Sequence, residues 1–237
     1  MQIKTKAIVL SSLKYQEKGL IAKCFTLQEG IKTYFVPNAF SGKKSNQKIA
    51  YFQPLTILEI EANHKNKGGL EHFKEIKLAI PYQTINNDIY KSTIVIFLSE
   101  VLSNCIQEEE QNEDLFTFLE VALTWLDTHD EPQNFHLILL IEVSKFLGFY
   151  PDISNIDLPF FNINEGNFTL FQGLQSISEH QSFLLKKLIN LKFDSNQKIF
   201  SGIERQLLLQ LLLDYYAIHL DGFRKPKSLD VLKEVFA

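Results

Sequence analysis

Apolar and polar positions alternate along the first eighty residues in short runs that turn-forming residues separate. The apolar runs are Ala7–Leu10, Leu20–Leu27, Ile31–Val36, Leu55–Ala62 and Leu70–Ile80. Glu29-Gly30, Pro37 and the polar stretch Asn63–Gly69 stand between them. Short β-rich runs with turn signals between them predict a small barrel or sandwich. Their number suits the five strands of an OB-fold, but periodicity alone leaves an SH3-like barrel open.

After Pro81 the apolar positions recur at helical spacing. This pattern covers Asp88–Ile106, Asn112–Asp127, Phe135–Leu147, Glu179–Leu191, Gly202–Leu220 and Leu229–Phe236. Residues 149–176 interrupt it, and a turn at Asn164–Asn167 between Phe160–Ile163 and Phe168–Phe171 predicts a hairpin there. The sequence therefore predicts a multi-domain α+β chain. A five-stranded β-barrel over residues 1–80 precedes an all-α domain over 81–237, with a small loop and hairpin insert at about 149–176.

The composition predicts a folded protein outside the membrane. Hydrophobic residues make up 45% of the chain and aromatic residues 12%, enough for a sizeable core. Apolar runs such as Ile94–Leu98 are far shorter than the ~20 residues of a bilayer span, and the N-terminus does not resemble a signal peptide. The two cysteines, Cys24 and Cys105, cannot form a disulfide framework. A reducing cytoplasm is the expected location.

The net charge of -4 conceals a strong asymmetry along the chain. Residues 1–80 hold thirteen lysines and six acidic residues, a net charge of +7. Residues 81–185 carry a net charge of -14, and residues 186–237 a net charge of +3. Such asymmetry indicates a nucleic-acid partner for the basic part, which the total charge would have argued against.

Residue patterns typical of enzymes do not occur in the sequence. Phosphate-binding glycine loops, the G-x-S-x-G turn and the H-E-x-x-H zinc motif are all missing. The acidic run Glu108–Glu110 does not suggest a metal site, because neighbouring side chains on a helix diverge. The sequence therefore predicts neither catalysis nor a cofactor.

The basic β region combines cations with aromatic rings, as single-stranded nucleic-acid sites do. The candidate DNA-contacting lysines are Lys14, Lys18, Lys23, Lys43, Lys44 and Lys48. The interleaved aromatic residues are Tyr15, Tyr34, Phe35, Phe40 and Tyr51. Lysine without arginine suits phosphate contacts better than base-edge recognition, so sequence-independent binding would follow. The alternative is a solubilising lysine surface over aromatic core residues.

Several stretches also stand in a particular order. They are Lys6–Leu10, Lys14–Lys18, Phe25-Thr26, Glu29-Gly30, Ser41–Ser45, Phe52–Leu55, Leu58–Ile60, Phe146–Asp152, Arg205, Leu208, Tyr215-Tyr216, His219-Leu220 and Lys227–Leu229. With the basic-β-then-helical layout, this order resembles that of the bacterial RecO family of recombination mediators over essentially the full length.

The resemblance implies an N-terminal OB-fold, a helical domain and a non-enzymatic role in DNA repair and homologous recombination through the RecF pathway. Family members bind single- and double-stranded DNA, anneal complementary strands and work with the ring-forming partner RecR. Together they load recombinase on DNA coated by single-strand-binding protein, whose acidic C-terminal tail the helical domain binds. A cytoplasmic, nucleoid-associated location without membrane contact is implied.

The family's DNA-contacting role falls here on the six candidate lysines named above. For the acidic tail we expect Lys186, Lys187 and Arg205, which bring positive charge to an otherwise acidic domain. The competing hypotheses are a protein-interaction adaptor whose basic β region binds an acidic protein surface, and a nuclease. The six scattered acidic residues of the β region disfavour the nuclease.

One departure from the family pattern concerns zinc. Many relatives carry a four-cysteine zinc site just after the segment that corresponds to Tyr150–Asp152, whereas residues 153–176 here contain no cysteine or histidine. Zinc is therefore predicted to be absent. Packing of Phe160, Phe161, Phe168 and Phe171 is expected to hold the insert together.

Overall fold

The computed structural model describes residues 2–41, 49–65, 69–107, 111–195 and 199–236. The strands are β1 Gln2–Tyr15, β2 Gly19–Thr26, β3 Gly30–Val36, β4 Ile57–Asn63, β5 Glu71–Leu78, β6 Phe160–Asn162 and β7 Asn167–Thr169. The helices are α1 Ile89–Cys105, α2 Glu113–Thr128, α3 Phe135–Phe146, α4 Glu179–Ile189, α5 Gly202–His219 and α6 Leu229–Val235. Each predicted helix and the hairpin begin and end within two residues of these bounds.

The barrel closes because β1 pairs with two strands at once. Its first half is antiparallel to β4, and its second half is antiparallel to β2. The strand order is β1-β2-β3-β5-β4, with β3 and β5 running parallel. A closed five-stranded barrel of this order is an OB-fold. The predicted fold class, an OB-fold followed by helices, is confirmed, and the SH3-like alternative is excluded.

A β-bulge lies where β1 changes partner, between Val9 and Ser11. The Leu55 N–H donates to the Val9 carbonyl at 2.8 Å, and the Val9 N–H donates to the Thr56 carbonyl at 3.0 Å. The Leu10 carbonyl accepts a 2.9 Å hydrogen bond from the Ser99 hydroxyl of α1. Bulges bend a strand and increase its twist. The bend thus coincides with the point where α1 is bonded to the barrel.

The apolar run of β1 is uninterrupted because its side chains are buried on both faces of the strand, in two different cores. Ala7 and Val9 belong to the barrel interior, with Leu20, Ala22, Cys24, Tyr34, Leu58 and Ile60 among the other members. Ile8 and Leu10 are also fully buried, yet they lie outside that cluster. On the neighbouring strand, the Phe25 ring lies 5.7 Å from that of Phe116 in α2. Helices therefore cover one outer side of the barrel.

The chain divides into two compact units. The first comprises residues 1–128 with 226–228, and the second comprises 129–225 with 229–237. The sequence-based boundary after residue 80 marks the change from strands to helices, whereas the first compact unit also contains α1 and α2. Within the described ranges, no helix is long and apolar enough to cross a membrane.

The segment after the barrel is fixed by the Asp127 carboxylate. It accepts backbone N–H bonds from Gln83 at 2.8 Å, Thr84 at 2.8 Å and Ile85 at 3.0 Å. Burial would raise the pKa of Asp127, but these hydrogen bonds together lower it. The buried Lys91 ammonium donates to the Thr84 hydroxyl at 2.7 Å. One carboxylate thus satisfies three donors at the start of the helical region.

Aromatic contacts hold the insert in the second unit. Phe161 and Phe168 are buried with ring centroids 5.0 Å apart, and the Tyr215 ring lies 5.7 Å from Phe161. The Tyr215 hydroxyl donates to the Phe149 carbonyl at 2.8 Å. Phe171 is 79% exposed, so its expected packing role is wrong. The apolar surface that Phe171 does not supply comes from α5, which lies far from the insert in sequence.

We predict that Asp127→Asn lowers the free energy of unfolding by about 2 kcal/mol, because a neutral amide replaces a charge-assisted acceptor of three N–H groups. Urea denaturation followed by circular dichroism measures the change. Asp130→Asn, at an exposed acidic residue nearby, is the matched control and should change stability by less than about 0.5 kcal/mol. Equal effects of the two substitutions would contradict the bonding described for Asp127.

Candidate nucleic-acid interface

Several lysines in the described part of the barrel form ion pairs with acidic residues. Lys4 and Lys74 both pair with Glu61, Lys77 pairs with Glu75 at 2.8 Å, and Lys6 pairs with Glu120 of α2 at 2.7 Å. Hydrogen bonding from Lys74 lowers the pKa of Glu61, and Glu75 raises that of Lys77. The side of the barrel formed by β4, β5 and the first half of β1 is therefore largely self-neutralised.

Lys23, one of the predicted DNA contacts, is engaged at the end of α1. Its ammonium donates to the Ser103 carbonyl at 2.6 Å and to the Ile106 carbonyl at 3.3 Å. Partial burial lowers the pKa of Lys23. A cation at a helix C-terminus satisfies carbonyls that lack intrahelical partners. The geometry therefore gives Lys23 a structural role.

Lys14 and Lys18 lie at the β1–β2 turn, and both are exposed. The Lys14 ammonium lies 5.4 Å from the centre of the Phe40 ring, a cation–π contact. Among the residues that the structure describes, neither lysine forms an ion pair. Positive charge at this turn is consequently available to a ligand.

The predicted Lys43, Lys44 and Lys48 lie outside the described residues. The chain on either side of them is hydrogen-bonded to the β1–β2 hairpin. The Phe40 N–H donates to the Lys18 carbonyl at 3.2 Å, and the Phe52 carbonyl accepts from the Ser12 hydroxyl at 2.9 Å.

The structure separates the predicted aromatic residues into two groups. Tyr34 is fully buried, stacks on Phe73 at 4.1 Å and bonds to His64 Nε2 at 2.8 Å. Burial raises the pKa of Tyr34 far above its ordinary value. Tyr51 packs against the same barrel core. Tyr34 is thus a core residue and Tyr51 a partly buried ring against that core, in line with the alternative interpretation.

Tyr15, Phe35 and Phe40 form the second group, and they reach the surface. The Phe35 ring lies 6.0 Å from Tyr15 and 6.0 Å from His72, at 84° and 90° to them. His72 is exposed and pairs with Phe35 across β3 and β5. Sequence reasoning missed His72, because only the strand register brings it to the other rings.

Cations and exposed rings therefore meet on one part of the barrel. Lys14 and Lys18 can neutralise phosphates, and aromatic faces can receive bases. In OB-folds the loop between the first two strands is among the usual ligand-binding elements. The arrangement combines the two components, cations and aromatic rings, that a single-strand-binding surface needs.

The second unit contains a groove of about 970 Å³. Its lining residues are Ile156, Asp157, Phe183, Lys186, Lys187, Asn190, Leu191, Asp194, Ser195 and Ile199. Lys187 lies 4.6 Å from the centre of the Phe183 ring. Two of the three residues predicted for an acidic tail, Lys186 and Lys187, are thus brought together beside apolar side chains.

Arg205, the third predicted tail contact, is not among the residues that line the groove. It donates from Nη1 to the Phe200 carbonyl at 2.8 Å, and burial lowers its pKa. Burial, with a smaller contribution from the Arg205 charge, lowers the pKa of His136 to about 3. Arg205 thus lies beside a buried neutral imidazole at the start of α5.

The donor set of the insert does not fit the zinc site of the family. Residues 153–176 contain no cysteine or histidine. Among the residues of described position, no group of three or more histidine, cysteine, aspartate or glutamate side chains could hold a metal ion. Tyr215 and His219 of α5 contact the insert instead, and the His219 ring nitrogen lies 2.9 Å from the Ile163 carbonyl oxygen.

Comparisons with known proteins cover nearly the whole chain. The family model described as Recombination protein O N terminal matches residues 1–82, and that described as Recombination protein O C terminal matches residues 86–230. Proteins named DNA repair protein RecO from Flavobacterium johnsoniae and Flavobacterium psychrophilum are 68% and 66% identical to the chain, with 100% of both sequences aligned. The protein of that name from Christiangramia forsetii is 43% identical over the same coverage.

Proposed function

The chain belongs to the RecO family of DNA repair proteins, and from that membership we propose that it acts as a recombination mediator. In this role it binds single- and double-stranded DNA, promotes annealing of complementary strands and helps load recombinase on DNA coated by single-strand-binding protein. The observation that carries the proposal is the placement of unneutralised lysines beside exposed rings at the β1–β2 turn.

Annealing by such a protein is an electrostatic effect. Two single strands repel each other through their phosphates, and bound cations reduce that repulsion until base pairing can proceed. Lys14 and Lys18 supply such cations, and lysine holds phosphate as a point charge without reading base edges. Sequence-independent binding suits a mediator that acts wherever DNA is damaged.

We propose that the protein acts without catalysis of its own. Burial raises the pKa of Cys24 to about 12, and burial also raises that of Cys105. Both thiols therefore stay protonated and are poor nucleophiles. The proposed partners are DNA, RecR and the single-strand-binding protein, and the proposed location is the cytoplasm, at the nucleoid.

The helical unit is proposed to hold the acidic tail of the single-strand-binding protein. The groove that contains Lys186 and Lys187 offers cations beside the apolar Phe183 and Leu191. Acidic tails are recognised where positive charge borders apolar surface that can be desolvated. Arg205 would act on such a ligand only from outside this groove.

Lys14→Gln combined with Lys18→Gln should weaken binding of single-stranded DNA and reduce its salt dependence. Each phosphate contact contributes about 0.7 to the slope of log K against log salt, so the slope should fall by about 1.4. Fluorescence anisotropy with a labelled oligonucleotide at several salt concentrations measures both quantities. The matched control is Lys74→Gln with Lys77→Gln, because both lysines already pair with acids.

An unchanged slope in the Lys14 and Lys18 variant would contradict this assignment of the site. A wild-type protein that shows no salt-sensitive binding would instead support the adaptor hypothesis, in which the basic barrel binds an acidic protein surface.

Lys186→Glu combined with Lys187→Glu should weaken binding of a synthetic peptide with the sequence of the cognate acidic tail by about tenfold or more, because like charges then face each other. Isothermal titration calorimetry measures the affinity. Lys225→Glu is the control, since Lys225 pairs with Asp214 and does not line the groove. Equal losses in both variants would show a general charge effect and reject the groove.

We propose that the insert folds without zinc. Plasma emission spectrometry of the purified protein should find far less than one zinc per chain, and chelation should leave its melting temperature unchanged. One zinc per chain that survives dialysis would overturn the proposal.

A further inference from the structure

Three rings, of which the outer two are exposed and the central one is partly buried, form a row on the outside of the barrel. Tyr15 ends β1, Phe35 belongs to β3 and His72 to β5. Each outer ring stands nearly perpendicular to the central Phe35 ring, at 84° and 90°. Edge-to-face contacts of this kind orient the rings mutually. Tyr15 remains 41% exposed, and His72 is exposed as well.

Gly19 leaves the space that the central Phe35 ring occupies. A Cβ atom at this position would lie 2.7 Å from Phe35 Cε2 and 2.9 Å from the Tyr15 carbonyl oxygen. Both distances are below normal van der Waals contact, so any larger residue would displace the Phe35 ring or the end of β1. The row of rings therefore depends on a glycine at the first position of β2.

We propose that Tyr15, Phe35 and His72 form a stacking platform for unpaired bases, and that Gly19 is its positioning residue. The inference rests on the proposed DNA-binding function and adds the source of a preference for single strands. In a duplex the base faces are covered by neighbouring base pairs, whereas in a single strand they can stack on aromatic side chains. Phosphates are present in both forms.

Charge complementarity identifies the occupant as a nucleic-acid strand. Lys18 directly precedes Gly19, whereas the Lys14 side chain leaves β1 on the face opposite to Tyr15 and lies 5.4 Å from the centre of the Phe40 ring. Both lysines are exposed and unpaired within the described part of the chain. A strand whose phosphates follow the β1–β2 turn past Lys18 brings its bases to the side of the hairpin on which Tyr15 and Phe35 lie. An acidic protein segment would satisfy the lysines but would leave the rings without planar partners.

A comparison of base-bearing and abasic strands tests the platform directly. The two probes are a single-stranded oligonucleotide and its abasic counterpart of equal length, which keeps every phosphate. For the wild-type protein we expect the base-bearing strand to bind at least about tenfold more tightly, a typical value for one stacked base. Phe35→Leu should bring the ratio of the two affinities, base-bearing over abasic, close to one and leave the salt slope unchanged.

Conservative replacements separate stacking from folding. Phe35→Tyr and Tyr15→Phe should keep the wild-type ratio, whereas Tyr15→Leu should lower it. Tyr90→Leu removes an exposed ring of α1 and is the matched control, with no expected change in the ratio. Circular dichroism and melting temperature verify that each variant is folded.

Gly19→Ala should lower the ratio in the wild-type background and leave it unchanged in the Phe35→Leu background, because the ring it displaces is then absent. If Gly19→Ala does not fold, the two Phe35 variants still decide the proposal. A wild-type ratio near one overturns the platform even when binding is strong and salt-dependent. Absence of any salt-dependent binding overturns the proposed function itself.

Discussion

The double pairing of β1 is the constraint on which the first unit depends. The first half of this fourteen-residue strand pairs with β4 and its second half pairs with β2. The bulge at Val9 allows the strand to change direction between the two partners. If β1 were shorter, the barrel would have an open edge instead of a closed hydrogen-bonded ladder. The same strand ends at Tyr15, beside the turn that carries Lys18. Barrel closure and the position of the candidate DNA surface are thus consequences of one pairing pattern.

Charge placement divides the barrel into two kinds of surface. On one side, glutamates such as Glu61 and Glu75 neutralise the lysines that surround them. At the β1–β2 turn, Lys14 and Lys18 form no ion pair with any described residue. The basic excess of the first eighty residues is therefore an imperfect guide, because only a subset of those lysines is free to meet phosphate. The net charge of the whole chain is a still poorer guide to where a nucleic acid would bind.

The sequence predicted the helices closely, because each has an apolar stripe and clear ends. It predicted β1 only as Ala7–Leu10, since the rest of that strand has charged and polar residues that are exposed in the barrel. The structural role of Lys23 could not be predicted from the sequence either, because its carbonyl partners at Ser103 and Ile106 lie about eighty residues away. His72 joins the ring row only through the β3–β5 register. A local sequence pattern therefore does not predict contacts between residues that are far apart in the chain.

We propose that the barrel binds phosphate while the helical unit binds the acidic tail of the coating protein. The most direct measurement is annealing of complementary strands, followed by fluorescence, on naked DNA and on DNA precoated with cognate single-strand-binding protein that has or lacks its C-terminal tail. We expect acceleration on naked DNA and on strands coated by the intact protein, and little acceleration when the tail is missing. No acceleration on naked DNA, or equal acceleration with and without the tail, would contradict it.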